Sequence, residues 1–128
     1  MKHKNREYQL CKNLAIYMRL QHRGVPYHFD MAGLNLSKVQ AGMMKGIQGM
    51  SKFPDLFIAE PRGMYHGMFL EIKHEDAYVF KKDGTVIADD HLQGQASTMA
   101  LLNLKGYYSS FGIGFDDCKN KIDKYLKL

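Results

Sequence analysis

Three residues, Asp55, Glu71 and Lys73, are spaced along the chain in a way that could support chemistry. Asp55 enters one short apolar run, residues 53–59, and Glu71 lies near the end of a second, residues 68–73. Both runs are rich in residues that favour strands, and a loop containing proline and glycine separates them. If the runs pair as a hairpin, the two carboxylates and the ammonium meet at one end of the sheet.

This combination of charges predicts a particular reaction. Clustered carboxylates repel each other unless a cation lies between them, and hard divalent ions such as Mg²⁺ prefer oxygen ligands. A nearby lysine then orients a water molecule or neutralises the negative charge that develops on a phosphate. The three residues therefore indicate metal-assisted hydrolysis of phosphodiester bonds. A plainer interpretation stays open, because Pro54-Asp55 is also typical of a turn and Glu71 with Lys73 of a solvated strand face.

An amphipathic helix is predicted over about residues 4–22, upstream of these runs. Its apolar stripe comprises Leu10, Cys11, Leu14 and Met18. Glu7 lies on the same stripe, where burial of an unpaired charge is expensive. Glu7 therefore either pairs with a cation or lies at the exposed first turn, where the helix dipole favours acids.

A second helix is predicted over residues 89–105, with one polar residue on its apolar face. The stripe of this helix comprises Leu92, Gln95, Met99 and Leu102. Gln95 is the polar member and lies near the start of the helix. A strand over residues 107–113 and a last helix capped by Asp116 follow. The apolar face of the last helix comprises Cys118, Ile122, Tyr125 and Leu126.

The remaining segments are predicted to be a short strand over residues 25–31, a helix and irregular loop over 35–48, and a β-ribbon or ordered loop over 77–87 around an Asp-Gly turn. Met43 and Met44 are expected to fill the core flexibly. Four lysines could contact an anionic backbone or could simply be solvated, namely Lys45, Lys52, Lys81 and Lys82. The order of elements favours an α/β fold with a central mixed sheet flanked by helices.

Length and composition narrow the class of protein. At 128 residues the chain is expected to form a single domain, residues 1–128, and its net charge of +5 favours anionic partners. Its two cysteines, Cys11 and Cys118, are far apart, which argues against a disulfide scaffold or a zinc ribbon and indicates a reducing compartment. No apolar run approaches the roughly 20 residues that span a bilayer. An intracellular protein without a membrane partner is therefore expected.

In their order, these motifs resemble the VRR-NUC family of the PD-(D/E)XK nuclease superfamily over nearly the whole chain. The residues that carry the resemblance are Glu7, Phe53-Pro54-Asp55-Leu56, Glu71-Ile72-Lys73, Gln95 and Gly106-Tyr107. Residues 81–85 and 115–126 look like the small stand-alone members of phages and prophages. One departure is Lys52, because the family commonly has glycine two residues before the proline.

The resemblance implies a restriction-endonuclease-like core and a metal centre that takes Mg²⁺ or Mn²⁺. Asp55, Glu71 and the backbone carbonyl of Ile72 would hold the metal, and Glu7 would complete the acidic cluster directly or through water. The family pattern thus assigns these four residues as the candidate metal site.

The resemblance also implies catalytic roles for Asp55, Glu71, Lys73 and Gln95. Lys73 would position the attacking water and stabilise the phosphate, and Gln95 would orient Lys73 or the water. Tyr107 joins the four lysines as a candidate for contact with DNA.

The implied function is a structure-specific endodeoxyribonuclease that cuts branched DNA, such as Holliday junctions, as a homodimer. The implied location is the cytoplasm of a bacterial host, with a phage or prophage as the source. Two alternatives are a non-catalytic DNA-binding module on a nuclease scaffold and a flap-type or non-specific nuclease. Every acidic and basic position that the chemistry needs is present, which argues against the first alternative.

Overall fold

The computed structural model describes residues 2–30, 36–50 and 52–128 of the chain. The helices in these residues are α1 (Lys2–Gln21), α2 (Lys38–Ile47), α3 (Asp90–Leu104) and α4 (Gly114–Tyr125). The strands are β1 (Tyr27–Phe29), β2 (Leu56–Ile58), β3 (Met68–Lys73) and β4 (Tyr108–Ile113). No helix in the described part of the chain combines the length and the apolar character that crossing a membrane requires.

The strands form one mixed sheet in the order β1-β2-β3-β4. β2 pairs antiparallel with both β1 and β3, whereas β3 and β4 are parallel. Parallel neighbours need a crossover connection, and α3 supplies it between β3 and β4. The predicted hairpin between the two apolar runs is confirmed, with Leu56 opposite Leu70. The predicted α/β fold, a central mixed sheet flanked by helices, is confirmed as well.

Helices cover both faces of this sheet. Met68, Leu70 and Ile72 project from β3 into a core that they share with α1 and α4. The alternate residues of β3 project to the other face, where Glu71 contacts α3. A smaller core on that face comprises Val79, Leu92, Met99 and Phe111. Each fully buried aliphatic side chain contributes about 1.5–3 kcal/mol relative to its exposure, so the two cores hold the strand ends in place.

The apolar stripes predicted for three helices are confirmed. Leu10, Leu14 and Met18 of α1 are buried, and Cys11 packs against them half-buried. The buried residues of α3 include the four predicted ones, and those of α4 include Cys118, Ile122 and Tyr125. The periodicity of the sequence therefore assigned the correct face of each helix to the core.

The helix α2 differs from the prediction, because it buries none of its residues. Met43 is 68% exposed, so its predicted role as core filler is wrong. Met44 is only half-buried. An amphipathic pattern identifies a helix but does not identify a partner for its apolar face, and neither core includes a residue of α2.

The predicted cap of the last helix is also wrong. The N-cap of α4 is Ile113, so Asp116 lies inside the first turn. Gly114 has a φ of 81°, a conformation that favours glycine, and it lets the chain pass directly from β4 into the helix. The carboxylate of Asp117 accepts a hydrogen bond of 2.9 Å from the Ile113 N–H at this junction.

Two shorter predictions are confirmed in part. The segment 77–87 is an ordered loop with a single bridge between Phe80 and Val86, and within this described segment no longer ribbon forms. Its turn includes Gly84, with a φ of 88°. The strand predicted over residues 25–31 spans only Tyr27–Phe29, and residue 31 lies outside the described residues.

Candidate active site

Strand pairing brings Asp55 and Glu71 to the same end of the sheet. Leu56 pairs with Leu70, so the antiparallel register sets Asp55 opposite Glu71. Oδ2 of Asp55 accepts a hydrogen bond of 2.9 Å from the backbone N–H of Ile72, which holds this carboxylate beside β3. Glu71 is buried, with 4% of its surface exposed.

The two carboxyl groups oppose each other's ionisation. Burial and the charge of Asp55 raise the pKa of Glu71 above neutral pH, and Lys73 opposes this rise. Burial also raises the pKa of Asp55, while the N–H of Ile72 acts in the opposite direction. Neighbouring carboxylates of this kind ionise together only when a positive charge lies between them. Their oxygen donors suit a hard divalent cation, so the pair fits the metal that the sequence resemblance implies.

The charge of Glu7, a residue of α1, affects the ionisation of this pair. The helix begins at Lys2, so Glu7 is past the first turn, and its side chain is half-buried. The charge of Glu7 contributes to the raised pKa of Glu71. In the part of the chain that the structure describes, no three His, Cys, Asp or Glu side chains are grouped closely enough to hold a metal ion. Glu7 therefore lies in a position to act on the pair at longer range.

Lys73 and Gln95 complete the inner part of the site. Nζ of Lys73 lies 3.7 Å from Oε1 of Glu71, and only 13% of the lysine side chain is exposed. Nε2 of Gln95 donates a hydrogen bond of 2.8 Å to the same oxygen from α3. The structure thus brings together the four residues predicted to be catalytic, although their roles stay predictions.

His91 belongs to the site, and the sequence analysis missed it. Nε2 of His91 lies 3.1 Å from Nε2 of Gln95, and Nδ1 of His91 lies 2.9 Å from Nζ of Lys52. Burial and the charges of Lys52 and Lys73 lower the pKa of His91. His91 precedes Gln95 by four residues and so shares its face of the helix. That spacing is the signal in the sequence that could have revealed it.

A cleft of about 500 Å³ opens beside Asp55. Aromatic rings form one of its walls. Phe57 stacks on Phe69 with 4.5 Å between ring centroids, and Tyr107 meets Phe69 edge-on at 5.3 Å. Tyr107 is half-buried in this wall, which places a predicted DNA contact in the same cleft as Asp55.

The four lysines predicted to contact DNA lie in different places relative to Asp55 and Glu71. Lys52 reaches the site through His91. Lys45 lines an adjoining cleft of about 610 Å³. Lys81 and Lys82 are exposed on the ordered loop that follows β3. The structure therefore connects Lys52 to the candidate site, and contact of all four lysines with DNA stays a prediction.

Comparison with known proteins bears on the fold. No family model matches the chain, and no curated protein matches it. A solved structure described as a "VRR_NUC domain protein" does match, with a TM-score of 0.60 and 21% sequence identity. The match covers 94% of this chain and 88% of that chain, so the likeness extends over nearly the whole of both. The chain therefore has the fold of a VRR_NUC domain protein, as the order of motifs in its sequence predicts.

Proposed function

We propose that residues 1–128 form one nuclease domain, which hydrolyses phosphodiester bonds of DNA with the help of Mg²⁺ or Mn²⁺. The observation that carries this proposal is the carboxyl pair formed by half-buried Asp55 and buried Glu71, held beside Lys73 and Gln95 at one end of the sheet. Two adjacent carboxyl groups with raised pKa values destabilise the fold when both are ionised unless a cation binds them, so the pair indicates a functional role. The fold shared with a VRR_NUC domain protein supports the same chemistry.

The metal site in this proposal consists of oxygen donors. Asp55 and Glu71 would hold the ion through their carboxylates, and the backbone carbonyl of Ile72 would add a third oxygen. Glu7 would complete the acidic cluster directly or through water, and its charge acts on Glu71. An ion held there would supply Lewis-acid chemistry, activating a water molecule and polarising the phosphate.

Lys73 and Gln95 act on the reacting groups. The ammonium of Lys73 positions the attacking water and stabilises the negative charge that develops on the phosphate. Gln95, hydrogen-bonded to Glu71 at 2.8 Å, orients Lys73 or the water. Both side chains are largely buried, so their orientations are fixed before the substrate binds.

The positive charge of the protein favours a polyanion such as DNA as the substrate. The net charge of +5 and the cleft beside Asp55 allow a phosphate backbone to reach the carboxylate pair. We assign the backbone contacts to Lys45, Lys52, Lys81 and Lys82, and a contact with sugar or base to Tyr107. DNA affinity should then fall steeply as salt rises, because bound phosphates release counterions.

Branched DNA cut by a homodimer is the more specific proposal. A four-way junction is resolved by two coordinated cuts, and a two-fold pair of active sites supplies them most simply. The residues that the structure describes provide one such carboxyl pair per chain, so a second copy would supply the other site. This proposal rests on the resemblance of the sequence to the VRR-NUC family. The same resemblance supports a phage or prophage source and a location in the bacterial cytoplasm.

A cleavage assay tests the nuclease proposal. Linear, flap and four-way-junction DNA are incubated with Mg²⁺, Mn²⁺ or a chelator, using the wild type, Asp55→Asn and the exposed control Asp116→Asn. We expect cleavage by the wild type and by the control only with metal, and none by Asp55→Asn. Binding without cleavage under every condition would identify a non-catalytic DNA-binding module instead.

A second experiment tests the homodimer and the junction. Light scattering gives the mass of the protein, and a plasmid with an extruded cruciform reports whether both strands are cut within one encounter. We expect a dimer and paired cuts. A monomer that nicks linear and branched DNA at equal rates would agree with the nuclease proposal but contradict the proposal that a homodimer resolves junctions.

A further inference from the structure

Four aromatic rings form a cluster outside the two apolar cores. The cluster comprises Phe53, Phe57, Phe69 and Tyr107, and among the described residues neither core includes any of them. Phe69 lies at the centre, where Phe57 stacks on it and the other two rings meet it edge-on, with centroid distances of 5.2 and 5.3 Å. All four rings line the cleft of about 500 Å³ that also contains Asp55. An aromatic surface and a proposed metal ligand therefore share one cleft.

The rings of this cluster are held in place. Gly67 leaves space for Phe57, because a Cβ at position 67 would lie 2.9 Å from Cε1 of that ring. Phe53 precedes Pro54, and a residue before proline is restricted to an extended backbone. Phe53 nevertheless stays 39% exposed. A ring that is fixed and partly exposed offers a surface on which a flat ligand can stack.

The charges in this cleft favour an uncharged ligand. Asp30 lies beside Asp55, since its backbone N–H donates a hydrogen bond of 2.7 Å to the Asp55 carbonyl, and both residues line the cleft. Among the described residues, the lining of this cleft includes no lysine or arginine. Carboxylates repel any phosphate that a metal ion does not neutralise. A nucleobase is neutral, its N–H groups can donate to a carboxylate, and its flat face suits aromatic rings.

The adjoining cleft of about 610 Å³ suits the DNA backbone instead. Lys45 lines this second cleft, and Phe53 lines both clefts. A DNA strand whose phosphate contacts Lys45 can therefore place its base beside Phe53. In a duplex each base is paired and stacked on its neighbours, so only an unpaired or extruded base can enter such a cleft.

We propose that the cleft beside Asp55 is a subsite for one unpaired nucleobase of the DNA, which stacks on Phe53 and Tyr107 next to the phosphate that is cut. This inference rests on the proposed nuclease function and narrows its substrate to DNA with an unpaired nucleotide at the cleavage site. Flaps, and junctions that open at their branch point, supply such a nucleotide, whereas a continuous duplex does not.

Binding measured in a chelator tests the subsite without cleavage. The probes are a labelled oligothymidine of about six nucleotides and the same backbone with abasic sugars. The two probes carry equal numbers of phosphates, so the ratio of their affinities reports contacts with bases alone. We expect the wild type to bind the oligothymidine about tenfold more tightly, within the range that one stacked base supplies. Equal affinities would overturn the proposal.

Substitution of Phe53 locates the contact. Phe53→Leu keeps an apolar side chain but loses the ring, so the affinity ratio should fall about tenfold, to near unity, whereas Phe53→Tyr should keep it. Phe80→Leu is the matched control, because Phe80 is 38% exposed and also meets one phenylalanine ring edge-on, that of Phe111 at 5.7 Å. A ratio that Phe53→Leu leaves unchanged contradicts the subsite. If that variant also changes the mass measured by light scattering, a second copy of the chain covers the cleft instead.

Fluorescence provides a test with the wild type alone, which decides the question even where Phe53→Leu does not fold. A purine analogue whose emission falls on stacking is placed at each position of the oligothymidine in turn. We expect the emission to fall at one or more positions when the wild type is added in chelator. Unchanged emission at every position would sink the proposal.

Cleavage separates a failure of this inference from a failure of the proposed function. With Mn²⁺ in single turnover, we expect the wild type to cut a duplex that contains an unpaired stretch faster than a fully paired duplex, and Phe53→Leu to lose about tenfold of that preference. Equal rates on the two substrates would overturn the subsite and agree with the nuclease proposal. If the wild type cuts no DNA, the nuclease proposal fails, while the affinity ratio still decides whether the cleft binds a base.

Discussion

Replacing Glu71 by glutamine should make the metal-free protein more stable near pH 7. Glu71 is buried beside Asp55, and its pKa is raised above neutral pH by burial first and by Asp55 second. An unfolded chain has neither effect. As pH rises from the ordinary pKa of a glutamate, the unfolded state loses its proton before the native state does. The native state therefore loses stability through this window, and Glu71→Gln should remove the loss.

The magnitude follows from the burial of the side chain. About 2.5 pH units separate the usual glutamate value of 4.5 from pH 7, and each unit corresponds to about 1.4 kcal/mol. The ceiling is thus about 3.5 kcal/mol. Lys73 stabilises the charged form and reduces the gain, so we expect Glu71→Gln to raise the free energy of unfolding by about 1–2 kcal/mol near pH 7. The amide oxygen of the new glutamine still accepts from Gln95.

Urea unfolding in a chelator, at about pH 5 and at about pH 7.5, measures this effect. We expect the advantage of Glu71→Gln to be larger at the higher pH, and the exposed control Asp116→Asn to show little difference between the two. Adding Mn²⁺ should stabilise the wild type by about 2.7 kcal/mol at a hundredfold excess over its Kd and leave Glu71→Gln nearly unchanged. A Glu71→Gln protein less stable than the wild type in chelator at the higher pH would refute the reasoning.

Three further outcomes are expected. Glu7→Gln should weaken Mn²⁺ binding, measured by calorimetry, while changing the unfolding free energy by less than about 1 kcal/mol; unchanged metal affinity would return Glu7 to a purely structural role. Gln95→Ala should lower the single-turnover cleavage rate with little change in DNA affinity, and a rate equal to wild type would remove it from the site. Gly112→Ala should cost about 1–3 kcal/mol in urea unfolding, because a Cβ there would lie 2.5 Å from Sγ of Cys118 and 3.2 Å from Leu70. A stability equal to wild type would show that the side chains around residue 112 can move to accommodate the added methyl group.

Periodicity explains how much of the fold could be predicted. A helix with one apolar face must bury that face, so the stripe of α1 through Leu14 and Met18 and that of α3 through Met99 were readable from spacing alone. Two apolar runs that are joined by a short loop form an antiparallel pair, and this pairing sets Asp55 opposite Glu71. The core and the inner site were therefore predictable because they follow from local pattern and one hairpin.

Other features depend on contacts that no local pattern specifies. The exposure of Met43 depends on whether another element covers α2, and the entry into α4 depends on the conformation of Gly114. The contact between Lys52 and His91 joins residues 39 positions apart. Spacing on α3 places His91 on the face of Gln95, but only the tertiary structure shows that Lys52 reaches it.

The central claim is that Asp55 and Lys73 serve one metal-dependent hydrolytic centre, and a double-mutant cycle tests it most directly. Single-turnover cleavage of a labelled four-way junction with Mn²⁺ is measured for the wild type, Asp55→Asn, Lys73→Met and the double variant. Because residues that act as a unit are not additive, each single change should reduce cleavage to background and the double variant should be no slower. Near wild-type cleavage by either single variant, or two partial losses that multiply in the double variant, would contradict the claim.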